Sequence, residues 1–176
     1  MEAFDRGPDQ RAPAAMRAIH PLGKSPLLRD GEVLLGESGA IVDHLVTRHG
    51  RGRLAPPHDH PDWPRYVFFL HWVEGSLMAL LVTELLMSGA IPGVDAGPLA
   101  PGMREEVGRV VRWLDGDLAG REFAVGETFS AADVMLAYAL GFAKGRGFLA
   151  GTAHLASYVE RMTARAAYAR AAARGA

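Results

Sequence analysis

The chain has 176 residues, of which 49% are hydrophobic and 22% are charged, and its formal net charge is −1. This composition is typical of a globular protein, and it provides no charged field that would favour nucleic acid or an anionic membrane. The absence of cysteine excludes a disulfide framework, a thiol nucleophile and a thiolate metal site. No uninterrupted apolar run reaches the roughly 18 residues of a membrane span. The absence of cysteine agrees with a cytoplasmic protein, which is the location we predict.

The first residues of the chain carry only weak secondary-structure signals, and a clear strand pattern follows them. We interpret residues 1–4 as the remnant of a strand, 5–13 as a loop and 14–19 as a short helical turn. Two apolar runs follow, Leu27-Leu28 and Val33-Leu34-Leu35, and Asp30-Gly31 lies between them. An Asp-Gly pair between apolar runs predicts a β-hairpin.

A helix is predicted directly after this hairpin. Apolar residues recur at helical spacing from Ile41 onward, and Ser38 has the chemistry of a helix N-cap. The start of a helix leaves backbone N–H groups free and carries partial positive charge. This segment could therefore hold a carboxylate.

The rest of the chain is predicted to be helical after a linker at residues 50–62, which is rich in glycine and proline. A long helix from about Pro64 to Met87 carries one apolar stripe, formed by Tyr66, Phe69, Leu70, Val73, Leu77, Leu80, Leu81 and Leu85. A second helix spans about 103–118. Ser130 and Asp133 form a capping box at the start of a third helix, with a structural role. A further helix contains Leu155 and Met162, and the tail after it is helical by propensity and could continue it.

Taken together, three segments resemble the glutathione-binding half of cytosolic glutathione transferases. They are Pro21-Leu22-Gly23-Lys24-Ser25-Pro26, Asp30-Gly31 and Glu37-Ser38-Gly39-Ala40-Ile41. The resemblance implies a cis bond before Pro26 and backbone pairing of Ser25 with the cysteinyl part of glutathione. It also implies that Glu37 and Ser38 hold the γ-glutamyl end, with Lys24 near a glutathione carboxylate. Each piece alone would be an ordinary turn or cap, and their combination favours the glutathione site.

The resemblance also implies an α+β fold that is mostly helical overall. Residues 1–49 would be an incomplete thioredoxin-like domain, and residues 63–176 an all-helical bundle domain. The family's first strand and helix, which carry the Tyr, Ser or Cys that contacts the glutathione sulfur, have no counterpart in residues 1–17. We therefore expect an N-terminally truncated chain, with a genuinely shortened protein as the alternative.

The implied activity is that of a detoxifying transferase, in which the glutathione thiolate attacks an apolar electrophile. With no thiol-activating residue identified, we expect this activity to be impaired. The alternative is a non-catalytic glutathione-binding or protein-interaction module of the same fold, or, more distantly, a helical adaptor. Glutathione is the implied co-substrate, and a homodimer is predicted because the long helix presents more apolar surface than one small domain covers.

Three other signals have both a functional and a structural interpretation. Glu74 could reach glutathione across a dimer interface, or could simply be exposed beside a helix-packing glycine. Trp72 could face the co-substrate, although core or interface packing is the commoner role. His58-Asp59-His60 lies in the linker without further ligands beside it, and we predict no metal site, since zinc needs three or four convergent ligands.

Overall fold

A computed structural model describes residues 2–5, 7, 12–91, 93 and 95–175. Its helices and strands, in chain order, are α1 (Ala14–Ile19), β1 (Leu27–Asp30), β2 (Val33–Gly36), α2 (Ser38–His49), α3 (Trp63–Trp72), a π-helical segment (Val73–Met78), α4 (Ala79–Met87), α5 (Ala100–Asp117), α6 (Ala131–Gly145), α7 (Ala153–Thr163) and α8 (Ala166–Gly175). The fold is therefore α+β, with a small hairpin-containing part followed by a helical part.

The hairpin forms where the Asp-Gly pair predicts it. Strands β1 and β2 are antiparallel, Asp30 pairs with Val33, and Gly31 takes the positive φ of +60° that the tight turn requires. Within the described residues, the sheet has these two strands only. The strand expected at residues 1–4 is not formed: residues 2–4 have no regular structure, and Met1 lies outside the described residues. A strand there would need a neighbouring strand to pair with, and the sheet offers none beside it.

The long helix predicted from about Pro64 to Met87 is continuous from Trp63 to Met87, but its middle turn is π-helical. This segment contains Glu74-Gly75-Ser76, the polar interruption of the apolar pattern. Glycine lacks a side chain to stabilise regular helix packing, and single π-helical turns frequently occur at functional sites. The helix thus changes from α-helical to π-helical hydrogen bonding where polar residues interrupt the apolar pattern of the sequence.

The core lies in the helical part and is organised around this long helix. Phe69, Val73, Leu77 and Leu81 are fully buried and follow the predicted stripe. The helix is long and apolar enough to span a membrane by length and composition, yet only 33% of its most apolar window is buried within the chain. One side of the helix therefore packs in the core, and the other side presents apolar residues to the surface.

Two details of the helical part differ from expectation. Helix α5 begins at Ala100, earlier than expected, because Pro101 in the first turn is compatible with a helix start. Helices α7 and α8 do not run together: α7 ends at Thr163, and α8 begins at Ala166. The sequence lacks a proline at this break, so composition alone could not place it.

The capping box is present at the start of α6, and Asp133 is fully buried there. Its carboxylate accepts hydrogen bonds from the backbone N–H and the hydroxyl of Ser130, at 2.8 and 3.0 Å. It also accepts from the backbone N–H of Ala124 at 2.7 Å and from the hydroxyl of Tyr158 at 2.8 Å. The local cap is therefore also a junction that joins α6 to the preceding loop and to α7.

Candidate functional site

The hairpin register brings the predicted site residues to one end of the sheet. Leu27 of β1 is the cross-strand partner of Gly36 in β2. Ser25-Pro26 directly precedes the first of these residues, and Glu37-Ser38 directly follows the second. Opposite positions in an antiparallel pair lie about 5 Å apart. Two segments that are separated by ten residues in the sequence therefore emerge side by side.

The first of these segments is an exposed loop that leads into β1. The Ser25–Pro26 peptide bond is cis, as the resemblance implies, and Gly23 has a φ of +57°. Lys24, Ser25 and Pro26 are all exposed. Among the described residues, the backbone of Ser25 makes no hydrogen bond to another backbone group. Its N–H and C=O groups are thus accessible to an extended ligand, in the manner of an added strand.

The second segment is the start of α2, where one expectation was wrong. Ser38 is the first residue of the helix, and the N-cap position is occupied by Glu37, whose φ is +70°. No side chain caps the helix here. Because the first intrahelical bond is from the N–H of Ile41 to the Glu37 carbonyl at 2.9 Å, the amides before Ile41 have no helical acceptor. The helix start therefore presents free donors and partial positive charge, next to the exposed Glu37 carboxylate.

The long helix lies beside this helix start. A Cβ atom on Gly39 would lie 3.6 Å from the backbone oxygen of Leu70, so the first turn of α2 approaches α3 at this point. Glu74 lies four residues beyond Leu70, about one turn further along, in the π-helical segment, and it is half-buried. Glu74 is therefore about one helical turn from the point where the start of α2 approaches α3.

Trp72 lies in a cluster of aromatic side chains on α3 and α5. Its ring stacks on Phe68 at 5.8 Å and contacts Trp113 edge-on at 5.3 Å. Phe68 and Trp113 are 42% and 47% exposed, so this cluster faces the surface. The position suits an interface, and Trp72 is held by aromatic neighbours on two sides.

A three-residue cluster was missed by the sequence interpretation. The Nε2 atoms of His44 and His49 lie 2.8 and 2.7 Å from the same carboxylate oxygen of Asp30. The hydrogen bond from His49 makes the largest contribution to lowering the pKa of the Asp30 carboxyl, and the hydrogen bond from His44 lowers this pKa further. The histidines are five positions apart, which is not a spacing that places side chains on one helix face, and Asp30 belongs to the hairpin. No local signal could therefore have indicated the cluster.

The linker histidines do not form a comparable group in the described part of the chain. His58 stacks on Trp63 with 3.9 Å between ring centroids. His60 lies 3.6 Å from Asp62, without a third converging side chain among the described residues.

A buried carboxylate on α4 was also not anticipated. Glu84 is only 2% exposed, and it is paired with Arg146 at 2.8 Å and with Arg104 at 3.1 Å. These bonds join α4, α5 and the end of α6, so the group has a clear structural role.

Comparison with known proteins identifies the fold. The glutathione S-transferase N-terminal domain model matches residues 5–57, and the C-terminal domain model matches residues 71–173, more than half of the chain. The chain belongs to the glutathione S-transferase family. The sequence resemblance and the expected fold class are thereby confirmed.

Named relatives of the chain include two yeast proteins. Glutathione S-transferase 3 of Schizosaccharomyces pombe is 29% identical over 160 residues, which cover 85% of this chain. The chain spans 65% of the length of that relative. Glutathione S-transferase 1 of Saccharomyces cerevisiae is 26% identical over 166 residues, covering 84% of this chain and 71% of the yeast protein.

Solved structures agree with the family. A glutathione S-transferase from Actinobacillus pleuropneumoniae superposes with a TM-score of 0.82 and 28% identity, covering 97% of this chain and 78% of that one. A sphingomonad glutathione S-transferase complexed with glutathione gives a TM-score of 0.79 and 26% identity, covering 97% of this chain and 84% of that one.

Proposed function

We propose that the chain binds glutathione where the end of the hairpin meets the start of α2. The observation that carries the proposal is the β1–β2 register, which places Ser25-Pro26 beside Glu37-Ser38. The sphingomonad relative that is complexed with glutathione supports the same ligand class. The site residues are Lys24, Ser25, Pro26, Glu37 and Ser38.

The charges of the ligand match those of the site. The γ-glutamyl group of glutathione carries an ammonium and a carboxylate. Glu37 is exposed and accepts hydrogen bonds from the ammonium, while Ser38 and the free amides of α2 donate to the carboxylate. The backbone of Ser25 pairs with the cysteinyl residue, and Lys24 lies near a glutathione carboxylate.

Replacing Glu37 or Ser38 with alanine is expected to weaken glutathione binding about tenfold in each case. Hydrogen bonds to charged groups contribute roughly 1.5–3 kcal/mol, and solvent exposure of the site places the effect near the lower limit. Isothermal titration calorimetry with reduced glutathione measures the change directly.

Two matched variants separate site effects from general effects of the substitutions. Glu32→Ala removes an exposed acid from the hairpin turn, and Ser157→Ala removes an exposed hydroxyl from α7. Both should bind like the unmodified chain. Unchanged affinity in the Glu37 and Ser38 variants would refute the proposed site and would favour a helical adaptor.

The reaction that we propose is attack of the glutathione thiolate on an apolar electrophile. Thiolate formation needs a donor near the sulfur, since an ordinary thiol has a pKa of about 8.5. Residues 1–17 contain no Tyr, Ser or Cys, so we propose that conjugation by this chain is slow. A glutathione-binding module without catalysis is the second candidate, and this same observation favours it. For either function we propose a cytoplasmic location.

We further propose that the protein is a homodimer, formed through the apolar outer side of the long helix. Phe68, Val82 and Leu86 on this helix are 41–53% exposed. Such a surface is typical of an interaction site, and a two-fold dimer would bury it. In the dimer, Glu74 would approach glutathione of the partner, while Trp72 would line the interface or the co-substrate site.

Light scattering is expected to give twice the chain mass of 18.9 kDa. Phe68→Glu should shift the mass to that of the monomer, because a charge at the centre of an apolar interface opposes association. Thr128→Glu adds the same charge on an exposed loop and should leave the dimer intact. A monomeric mass for the unmodified chain would contradict this assembly.

A further inference from the structure

The cluster of Asp30, His44 and His49 has the composition of a metal site. Its three potential ligand atoms, one carboxylate oxygen and two imidazole nitrogens, all lie within 4.8 Å of one another. Imidazole and carboxylate together suit zinc and related divalent transition metals. We propose that these three side chains bind one divalent transition-metal ion, with Zn²⁺ as the favoured occupant.

The geometry needs an adjustment of each pair of ligand atoms, and the two nitrogens, which lie within 4.8 Å of each other, would have to be about 3.3 Å apart. Ligand atoms about 2.0–2.1 Å from a tetrahedral zinc ion lie about 3.3 Å from each other. The two Nε2 atoms are 2.8 and 2.7 Å from the Asp30 oxygen, so each contact must lengthen by roughly half an ångström. His49 is the last residue of α2 and its side chain is 55% exposed, which leaves it room to move.

Proton positions are also compatible with metal binding. In the metal-free cluster, each histidine donates an Nε2–H to Asp30. A metal would bind the same Nε2 atoms in the other tautomer, in which the proton lies on Nδ1. No hydrogen bond to either Nδ1 atom is formed among the described residues, so the change of tautomer breaks no other contact.

Such a site would stabilise the glutathione-binding part from the side opposite its ligand. Asp30 is the last residue of β1, and both histidines lie in the second half of α2. The metal would therefore fasten the turn end of the hairpin to the far end of the helix whose start holds Ser38. Three protein ligands leave a tetrahedral ion one open position for water.

The test uses the full chain, freed of any polyhistidine tag, and Zn²⁺ alone as the probe. We expect saturable binding of one Zn²⁺ per chain by competition with a chromophoric chelator, together with an increase in the melting temperature. Co²⁺ bound at the same site in place of Zn²⁺ should give the visible absorption bands that are typical of a metal site of low symmetry. His49→Gln should weaken Zn²⁺ binding more than tenfold and abolish the absorption.

The control is His58→Gln combined with His60→Gln, which removes two exposed histidines from the linker. This double variant should bind Zn²⁺ like the unmodified chain. Asp30→Asn provides a second variant, and it should weaken binding as His49→Gln does. The proposal is overturned if the unmodified chain shows no saturable Zn²⁺ binding or if His49→Gln leaves Zn²⁺ binding unchanged. It is also overturned if the double linker variant loses Zn²⁺ binding.

Discussion

Replacing Asp133 with alanine is expected to lower the free energy of unfolding by about 4 kcal/mol, because buried donors lose their acceptor and each such loss costs roughly 1–3 kcal/mol. The affected donors are the backbone N–H groups of Ala124 and Ser130, the hydroxyl of Ser130 and the hydroxyl of Tyr158. The last of these remains a neutral donor, since burial and the neighbouring Asp133 raise its pKa. Urea unfolding followed by circular dichroism measures the change.

Urea unfolding of two further variants shows how much each hydrogen-bond partner of Asp133 contributes to the loss of stability. Ser130→Ala and Tyr158→Phe each remove one partner and should cost about 1 kcal/mol. Asp59→Ala makes the same substitution at an exposed linker position, and its cost should stay below about 0.5 kcal/mol. If Asp133→Ala were as stable as Asp59→Ala, the junction would not hold the helical part together.

Fusing a first strand and helix that carry a hydroxyl donor to glutathione sulfur is expected to raise conjugation about fiftyfold at pH 6.5. At that pH, a thiol of pKa about 8.5 is roughly 1% ionised, and lowering the pKa by about two units makes it half ionised. The chain alone supplies the α2 helix start, but residues 1–17 offer no Tyr, Ser or Cys. An aryl halide conjugation assay under conditions saturating in glutathione compares the chain with this chimera.

The matched control is the same chimera with its donor hydroxyl removed, which should fall back toward the rate of the chain alone. This control separates thiol activation from any improvement in folding that the added strand brings. Equal and high rates for the chain and the chimera would show that thiol activation does not depend on the added segment. Equal and low rates, with glutathione still bound, would favour the non-catalytic module.

Local features of the fold could be predicted from the sequence because they depend on nearby residues. The hairpin follows from Asp30-Gly31, the long helix from its apolar stripe, and the α6 start from the spacing of Ser130 and Asp133. Ser38 was expected to cap α2, but a residue with cap chemistry can also serve as the first helical residue. The positive φ of Glu37 decided between these roles, and composition does not reveal it.

Features that join distant segments could not be predicted in this way. Asp133 accepts a hydrogen bond from Tyr158, 25 residues away, and Glu84 pairs with Arg146, 62 residues away. The Asp30 cluster joins a strand end to a helix end. Helical and strand periodicity show which face a residue occupies, but they do not show which other element covers that face.

The proposed binding of the γ-glutamyl group is tested most directly by comparing the affinities of two ligands for the unmodified chain. Reduced glutathione and N-acetyl-Cys-Gly both carry an amide at the cysteinyl nitrogen, and they differ in the γ-glutamyl group that Glu37 and Ser38 are proposed to hold. Calorimetry should show glutathione binding at least about tenfold more tightly, which corresponds to about 1.4 kcal/mol or more. Equal affinity for both ligands, or no binding of glutathione, would contradict the proposed site.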